Sequence, residues 1–335
     1  MKILITGGCG FIGTNLLPLL KQTGHEVCIF DNLSASVYSE ELHGIADYFI
    51  EGDIINVDEL QIAFNSFKPD FVFHFAGLVS IYDCHKDPAK ATLNNIYGTV
   101  NVLDAALSVN CDRVVFSESS AVYENCELHH KGFHETQSNP TTFYATTKAS
   151  CALIADSYAR TKGLKYTALR YFNVAGPIQD YKRTVPPLFA GFALRILGDN
   201  LPIIFGDGNR RRDFVHVDDV NEFHLQCLTD ERTINETFNL GTGVSTSLYE
   251  IGDIIFNHLN APEHLRDYDV RAEINGEAFN IYANTTKAFK LGWVAKKDIK
   301  TQIFDTITYL KSEINKGNID PKMFMKNLNT NSVKI

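Results

Sequence analysis

Nowhere does the 335-residue chain approach the ~20 consecutive apolar residues of a bilayer span, so no transmembrane helix is expected. A signal-peptide pattern is missing too. Only Lys2 precedes the first apolar stretch, which runs into a glycine loop rather than a small-residue cleavage site. A buried first strand over Met1–Thr6 accounts for that stretch better, and a cytoplasmic location is expected. Paired cysteines are lacking. The seven present (Cys9, Cys28, Cys84, Cys111, Cys126, Cys151, Cys227) are odd in number, scattered and without a CxxC, which reads as isolated reduced thiols. His129, His130 and His134 share a polar stretch but lack ligand spacing, so no metal is expected. Positive charge is scarce: 31 Lys and Arg against 40 Asp and Glu leave a net charge of −9, which argues against a nucleic-acid partner. The one basic run, Arg210-Arg211-Arg212, stands out as a candidate anion site. Repeats and low-complexity segments are absent from the sequence as well.

What is present is globular in composition, with 44% hydrophobic and 21% charged residues, enough for one large domain or two unequal ones. Lys2–Thr6, Glu26–Asp31, Phe71–Phe75 and Arg113–Ser117 read as buried parallel strands. Helices are expected near Ile12–Thr23, Val57–Phe67, Pro88–Val109 and Ala145–Thr161, the last leading to a strand at Tyr166–Arg170. Strand–helix alternation of this kind predicts an α/β fold, a Rossmann-type doubly wound parallel sheet with right-handed crossovers. After Gly176 the prolines and glycines break the rhythm into short elements. Val215–Val220 and Thr237–Leu240 read as returns to the main sheet. The segment from about Asp267 to Trp293 is polar and irregular, and a helix follows at about Lys300–Ile314. The expected division is a dinucleotide domain over 1–176 plus about 214–242, a smaller C-terminal substrate-binding lobe over about 177–213 plus 243–316, and a polar tail over 317–335.

Directly after the first strand comes Thr6-Gly7-Gly8-Cys9-Gly10-Phe11-Ile12-Gly13. Glycine lacks a Cβ, so it permits a tight turn and lets backbone amides reach a pyrophosphate. The helix that starts here aims its partly positive end at the same anion. The context is the required one: a strand before, an amphipathic helix after, and Asp31 closing the next strand. A carboxylate there accepts from the ribose hydroxyls and repels a 2′-phosphate, which favours NAD over NADP. Asp53, after the third strand, is a candidate partner for the adenine amino group. The small residues of Phe75-Ala76-Gly77 would let the cofactor cross the sheet edge. His74, just before them, reads as structural.

Tyr144 and Lys148 sit at i and i+4, one face of a helix, about 5–6 Å apart at Cβ. An ammonium beside a phenol favours the phenolate, so the pair suits proton exchange with a substrate hydroxyl. The pair lies after Ser117-Glu118-Ser119-Ser120-Ala121-Val122-Tyr123, whose hydroxyls fall at the carboxyl end of a strand.

The ordered set TGGCGFIG, FAGLVS, NNIYGT, FSESSAVY, YATTK, LRYFNVAGP, GDGNRRRDFVHVDD and NLGTG resembles the extended short-chain dehydrogenase/reductase family, and within it the UDP-glucose 4-epimerase group, over roughly residues 1–312. The resemblance implies that Tyr144 is the acid/base, that Lys148 holds the nicotinamide ribose, and that Ser119 hydrogen-bonds the sugar O4. It implies an NAD site of Gly7, Gly10, Phe11, Ile12, Gly13, Asp31, Asn32, Asp53, Ile54, Phe75, Ala76, Gly77, Asn95, Tyr144, Lys148 and Tyr171. The sugar nucleotide would meet Ser80, Ser119, Ser120, Asn173, Val185, Arg212 and Arg271, with Arg212 gripping the diphosphate.

Related dehydratases and decarboxylases carry an acidic residue just after the strand hydroxyl, where this chain has Ser120 and Ala121. The expected reaction is therefore 4-epimerisation of a nucleoside diphosphate sugar such as UDP-glucose/galactose or an N-acetyl form, with net reduction, oxidation or dehydration as the alternatives. Some positions depart from the family pattern. Glu124 replaces a customary glycine, Val79 replaces a lysine found in some epimerases, and Ile274 falls at a customary second diphosphate arginine, for which Arg271 would substitute. Ile281 falls where side-chain bulk influences acceptance of an N-acetyl group. A homodimer through the helices near 88–109 and 145–161 is also implied.

Overall fold

The structure, a computed structural model, describes residues 1–35, 44–128, 130–183, 185–273 and 278–322. Strands β1 (Lys2–Thr6), β2 (Glu26–Asp31), β3 (Tyr48–Glu51), β4 (Phe71–His74), β5 (Arg113–Ser119) and β6 (Tyr166–Tyr171) belong to one sheet. Three short strands follow, β7 (Asn173–Ala175), β8 (Ile203–Phe205) and β9 (Arg211–His216), before β10 (Glu236–Leu240) completes that sheet. Its order is β10-β6-β5-β4-β1-β2-β3, and every pairing is parallel. The order reverses between β1 and β4, which opens a crevice at the carboxyl ends of those two strands.

Helices cover both faces, which is why the central strands run apolar without alternation. Ile3 and Ile5 pack with Leu16, Leu17 and Leu20 of α1 (Phe11–Gln22) on one side. Leu4 points the other way, into a cluster with Leu60 and Phe64 of α2 (Val57–Phe67). After α3 (Ile81–Lys86), the helix expected at 88–109 is built as α4 (Pro88–Ala91), a π-helical turn over Thr92–Tyr97, and α5 (Gly98–Ser108). Helix α6 (Phe143–Lys162) is capped by Thr142, whose hydroxyl accepts from the Ala145 amide.

The second lobe holds α7 (Leu188–Leu197) and, after α8 (Val217–Cys227), β11 (Ser245–Ser247), α9 (Leu248–Leu259), β12 (Asp269–Arg271) and β13 (Asn280–Ile281). Helix α10 (Thr286–Phe289) returns to the main-sheet core, where Ala288 packs with Phe223 and Phe238, before α11 (Ile299–Asn315) rejoins the lobe. Phe189 and Phe192 of α7, Ile251 and Ile255 of α9, and Ile303 and Ile307 of α11 share its core.

Val215–Val220 does not return to the main sheet. Strand β9 pairs instead with β7, β11 and β13 in a separate small sheet. It stops at His216, whose Nδ1 accepts from the Asp218 amide and caps α8. Asp218 and Asp219 then fall in the first turn, where the helix end favours negative charge. The apolar residues at 215, 217 and 220 therefore divide between a strand and a helix. The segment after Gly317 is also less detached than its polarity implies, since Ile319 is buried in the lobe core. Residues 323–335 lie outside the described part. Among the described residues no helix is long and apolar enough to cross a membrane.

Candidate active site

The glycine turn between β1 and α1 is dictated by close approach. Gly7 has φ +69°, and a Cβ there would come within 2.5 Å of the Ala76 amide nitrogen. A Cβ at Gly13 would meet the Gly8 Cα at 2.7 Å, which makes Gly13 a packing residue behind the turn rather than a wall of the groove. The N-cap of α1 is Gly10, whose lack of a side chain leaves the first amides of the helix for an anion. Asp31 ends β2 and accepts from the Cys9 amide (2.9 Å) and the Leu33 amide (2.8 Å). Burial pushes its carboxyl above the usual range, against the pull of those two bonds. Asn32 donates to Asp53 at 2.8 Å, which fixes both at the far end of the groove.

These elements enclose a cavity of about 210 Å³ lined by Gly7, Gly10, Phe11, Ile12, Asp31, Asn32, Asp53, Ile54, Phe75, Ala76, Gly77, Tyr144, Lys148 and Tyr171, among others. Two expected residues are not on its wall. Gly13 is one, and Asn95 is the other. The Asn95 side chain is buried in the π-helical turn; its Oδ1 accepts from the Leu78 amide (2.7 Å) and its Nδ2 donates to Leu78 O (3.0 Å) and Thr147 Oγ1 (2.9 Å). It braces the loop after β4 from behind.

A second cavity of about 500 Å³ adjoins the first and shares Phe11, Ile12, Val79, Glu118, Tyr144, Tyr171 and Arg183 with it. Ser119, Ser120, Asn173, Val185, Arg212 and Arg271 line it. Ser80 does not: its hydroxyl accepts from the Asp83 amide as the cap of α3. Ser119 closes β5 and its hydroxyl accepts from the Ala121 amide at 3.2 Å. Lys148 is buried, with its ammonium donating to Ser117 O (3.0 Å) and Ser117 Oγ (3.2 Å). Tyr171 lies opposite Ser119 in the ladder, and its hydroxyl is 2.7 Å from His224 Nε2.

Among the described residues two carboxylates border the second cavity, and both are engaged. Glu118 forms a fork with Arg170 (3.0 and 2.8 Å), both side chains almost fully buried. Arg170 also donates to the Tyr123 hydroxyl, which donates in turn to Asn239. Glu124 accepts from Thr141 and Thr142.

The lobe supplies cations. Arg212 donates to Arg211 O at 3.0 Å, and Arg271 is held by Asp269 (3.0 and 2.8 Å). Arg210, part of the basic run singled out as a candidate anion site, also lines this cavity, as do Arg183 and Arg195, which were missed from the sequence. Arg195 is 6% exposed; its Nη1 has no hydrogen-bond partner among the described residues, and burial followed by repulsion from Arg271 lowers its pKa. Its signal was the single charge in the apolar helix LFAGFALRIL. Ile281, the position tied to N-acetyl acceptance, lines the cavity while packing with Tyr123 and Phe172. Ile274 lies outside the described residues, as does His129. His134 Nδ1 accepts from the Thr136 amide, and His74 is buried between Thr6 and Thr99.

The two adjoining cavities fit a dinucleotide and a phosphorylated second molecule that meet at Tyr144. Comparison with known proteins gives the same picture. Residues 3–241 match the model of the NAD dependent epimerase/dehydratase family. A bifunctional UDP-glucose 4-epimerase and UDP-xylose 4-epimerase of Arabidopsis thaliana is 32% identical, covering 88% of this chain and 91% of its own. The UDP-glucose 4-epimerase of Thermotoga maritima, solved with UDP-glucose, superposes with a TM-score of 0.88 at 30% identity over 94% of this chain and 100% of its own. The UDP-glucuronic acid 4-epimerase of Bacillus cereus, solved with UDP-glucuronic acid and NAD, gives 0.83 at 26% identity over 93% of this chain and 99% of its own.

Proposed function

Because the chain belongs to the NAD-dependent epimerase/dehydratase family, we propose that it inverts C4 of a UDP-hexose, with NAD as resident cofactor. The single observation that carries this reading is the meeting of Tyr144 and Ser119 on the wall of the larger cavity with no uncommitted carboxylate beside them among the described residues. Elimination of water from a sugar needs an acid at that point. Glu118 is locked to Arg170 and Glu124 to Thr141 and Thr142, so neither is available for it.

The glycine turn and the start of α1 would hold the NAD pyrophosphate, Asp31 the adenosine ribose, and Lys148 the nicotinamide ribose. Bound NAD supplies the two-electron acceptor and donor for C4. Tyr144 takes the proton of the 4-hydroxyl and later returns one to O4, while Ser119 donates to or accepts from O4 as its charge changes; inversion requires that the hydride come back to the opposite face of C4. Arg212 and Arg271 hold the diphosphate, so the 4-keto sugar stays in the cavity while it turns over. No net redox change results, which is why the cofactor remains bound between turnovers.

Proton NMR of the protein incubated with UDP-, GDP-, CDP- and dTDP-sugars tests the reading. Interconversion of a C4 pair without change in NADH absorbance is expected; stoichiometric absorbance change or loss of water overturns it. Tyr144→Phe should lower turnover by orders of magnitude and leave NAD(H) bound.

A homodimer through α6 and the 88–108 helix fits the outward faces of those helices, where Leu93, Tyr97 and Leu153 are exposed, Leu153 by 71%. Sedimentation of the native protein against Leu153→Asp checks it, with a shift to monomer expected. The seven free cysteines, six of them buried, suit a reducing cytoplasm.

A further inference from the structure

Glu124 lies one residue beyond the 3-10 turn Ser120–Tyr123 that follows Ser119. Its carboxylate reaches across to the segment that enters α6. Oε2 accepts from the Thr141 amide (2.9 Å) and the Thr142 amide (2.8 Å), and Oε1 accepts from the Thr142 hydroxyl (2.9 Å). The Thr142 hydroxyl has a single proton, and that proton is given to Glu124. Its lone pairs are thereby turned to the Ala145 amide, which donates to it at 3.2 Å as the cap of α6. Tyr144 sits between those two residues, in the first turn.

The other end of the link is equally fixed. Ser119 is the N-cap of the 3-10 turn, accepting from Ala121, and the Glu124 amide closes that turn onto Ala121 O at 3.1 Å. The two hydroxyls that face the sugar therefore share one anchor. A carboxylate accepting two consecutive backbone amides and a hydroxyl at a helix start is a charge-assisted contact of the stronger kind. A first helical turn is otherwise the part most prone to fray.

We propose that Glu124 is a positioning residue that sets the Tyr144 phenol against the Ser119 hydroxyl by strapping the turn after β5 to the first turn of α6. The proposal rests on the epimerase reading of the same site. Glu124 borders the sugar cavity, yet its oxygens accept from the Thr141 and Thr142 amides and the Thr142 hydroxyl, so its removal should change the chemical step and not sugar binding.

The test compares wild type, Glu124→Ala and Glu124→Gln as NAD-loaded enzyme. Misplacement of reacting groups by about 1 Å costs on the order of 100-fold in rate. Glu124→Ala is therefore expected to lower kcat by roughly 10- to 100-fold, with KM for the UDP-sugar and the NAD(H) content unchanged. Glu124→Gln keeps one acceptor oxygen and should fall between alanine and wild type. Hydrogen exchange gives a readout independent of turnover: the Thr141, Thr142 and Ala145 amides should lose protection in Glu124→Ala. A raised KM at unchanged kcat would make Glu124 a sugar contact and overturn the proposal. So would unchanged kcat, or unchanged exchange at the three amides. A wild-type protein that converts no nucleotide sugar defeats the epimerase reading, while exchange still decides whether the strap exists.

Discussion

Arg170→Met isolates the buried ion pair beneath the site. The substitution keeps most of the side-chain volume and removes the guanidinium. It strands the Glu118 carboxylate, which is 2% exposed, in a sheet interior with its two donors at 3.0 and 2.8 Å gone. Breaking one partner of a buried pair typically costs about 3–5 kcal/mol, because the remaining charge is left without compensation. The Gln137 carbonyl also loses a donor at 3.1 Å, worth roughly 1 kcal/mol. Tyr123 loses little, since its hydroxyl still donates to Asn239 at 2.7 Å. A loss of about 4–6 kcal/mol is expected. The same physics predicts that Glu118→Leu combined with Arg170→Met recovers most of that loss, since paired burial of charge is close to neutral against apolar replacement. Urea unfolding of wild type, both single variants and the double variant closes the cycle. A single-variant cost below about 1 kcal/mol, or a double variant equal to the sum of the singles, would refute the argument.

Gly7→Ala should abolish NAD retention, read as loss of the bound cofactor's absorbance, because φ is +69° and the new methyl would strike Ala76. Asp31→Asn should weaken NAD and narrow its preference over NADP in a binding titration, with a stability loss of about 1–3 kcal/mol, since an amide nitrogen cannot accept from Cys9 or Leu33. The His74 imidazole is held neutral by burial, and secondarily by Lys148, with its pKa driven down to about 3. The unfolded chain takes up a proton below about 6.5 that the folded chain refuses, so His74 costs stability as pH falls from about 6.5 towards 3. In urea unfolding the advantage of wild type over His74→Gln should shrink by roughly 2 kcal/mol between pH 7 and 5; a constant difference would refute it.

The main sheet was legible because its central strands are covered on both faces and so run apolar, as Ile3-Leu4-Ile5 and Val114-Val115-Phe116 do. Strand β3 carries no such run, since Tyr48–Glu51 is half exposed at the sheet edge. At Val215–Val220 a strand and a helix meet without a break in hydrophobicity, and only the His216 cap marks the boundary. Glycine turn, Asp31, Tyr144 and Lys148 are local patterns and could be read directly. The Glu118–Arg170 pair depends on the register of β5 against β6, which spacing along one chain does not supply. Asn95 shows the same limit: its motif was visible, but not that a π-helical turn aims its amide at Leu78.

Chain order has a consequence for synthesis. Strand β10 joins β6 in parallel register, yet it begins about 65 residues after β6 ends. While the ribosome makes that interval, at ~5–20 residues per second, the outer edge of β6 stays open for ~3–13 s. An unpaired strand edge is a template for another chain. The nascent protein therefore passes through a stage in which most of the dinucleotide sheet exists and one border of it is adhesive. A stalled or truncated product ending before Glu236 would be captured by chaperones or by its neighbours on the same messenger.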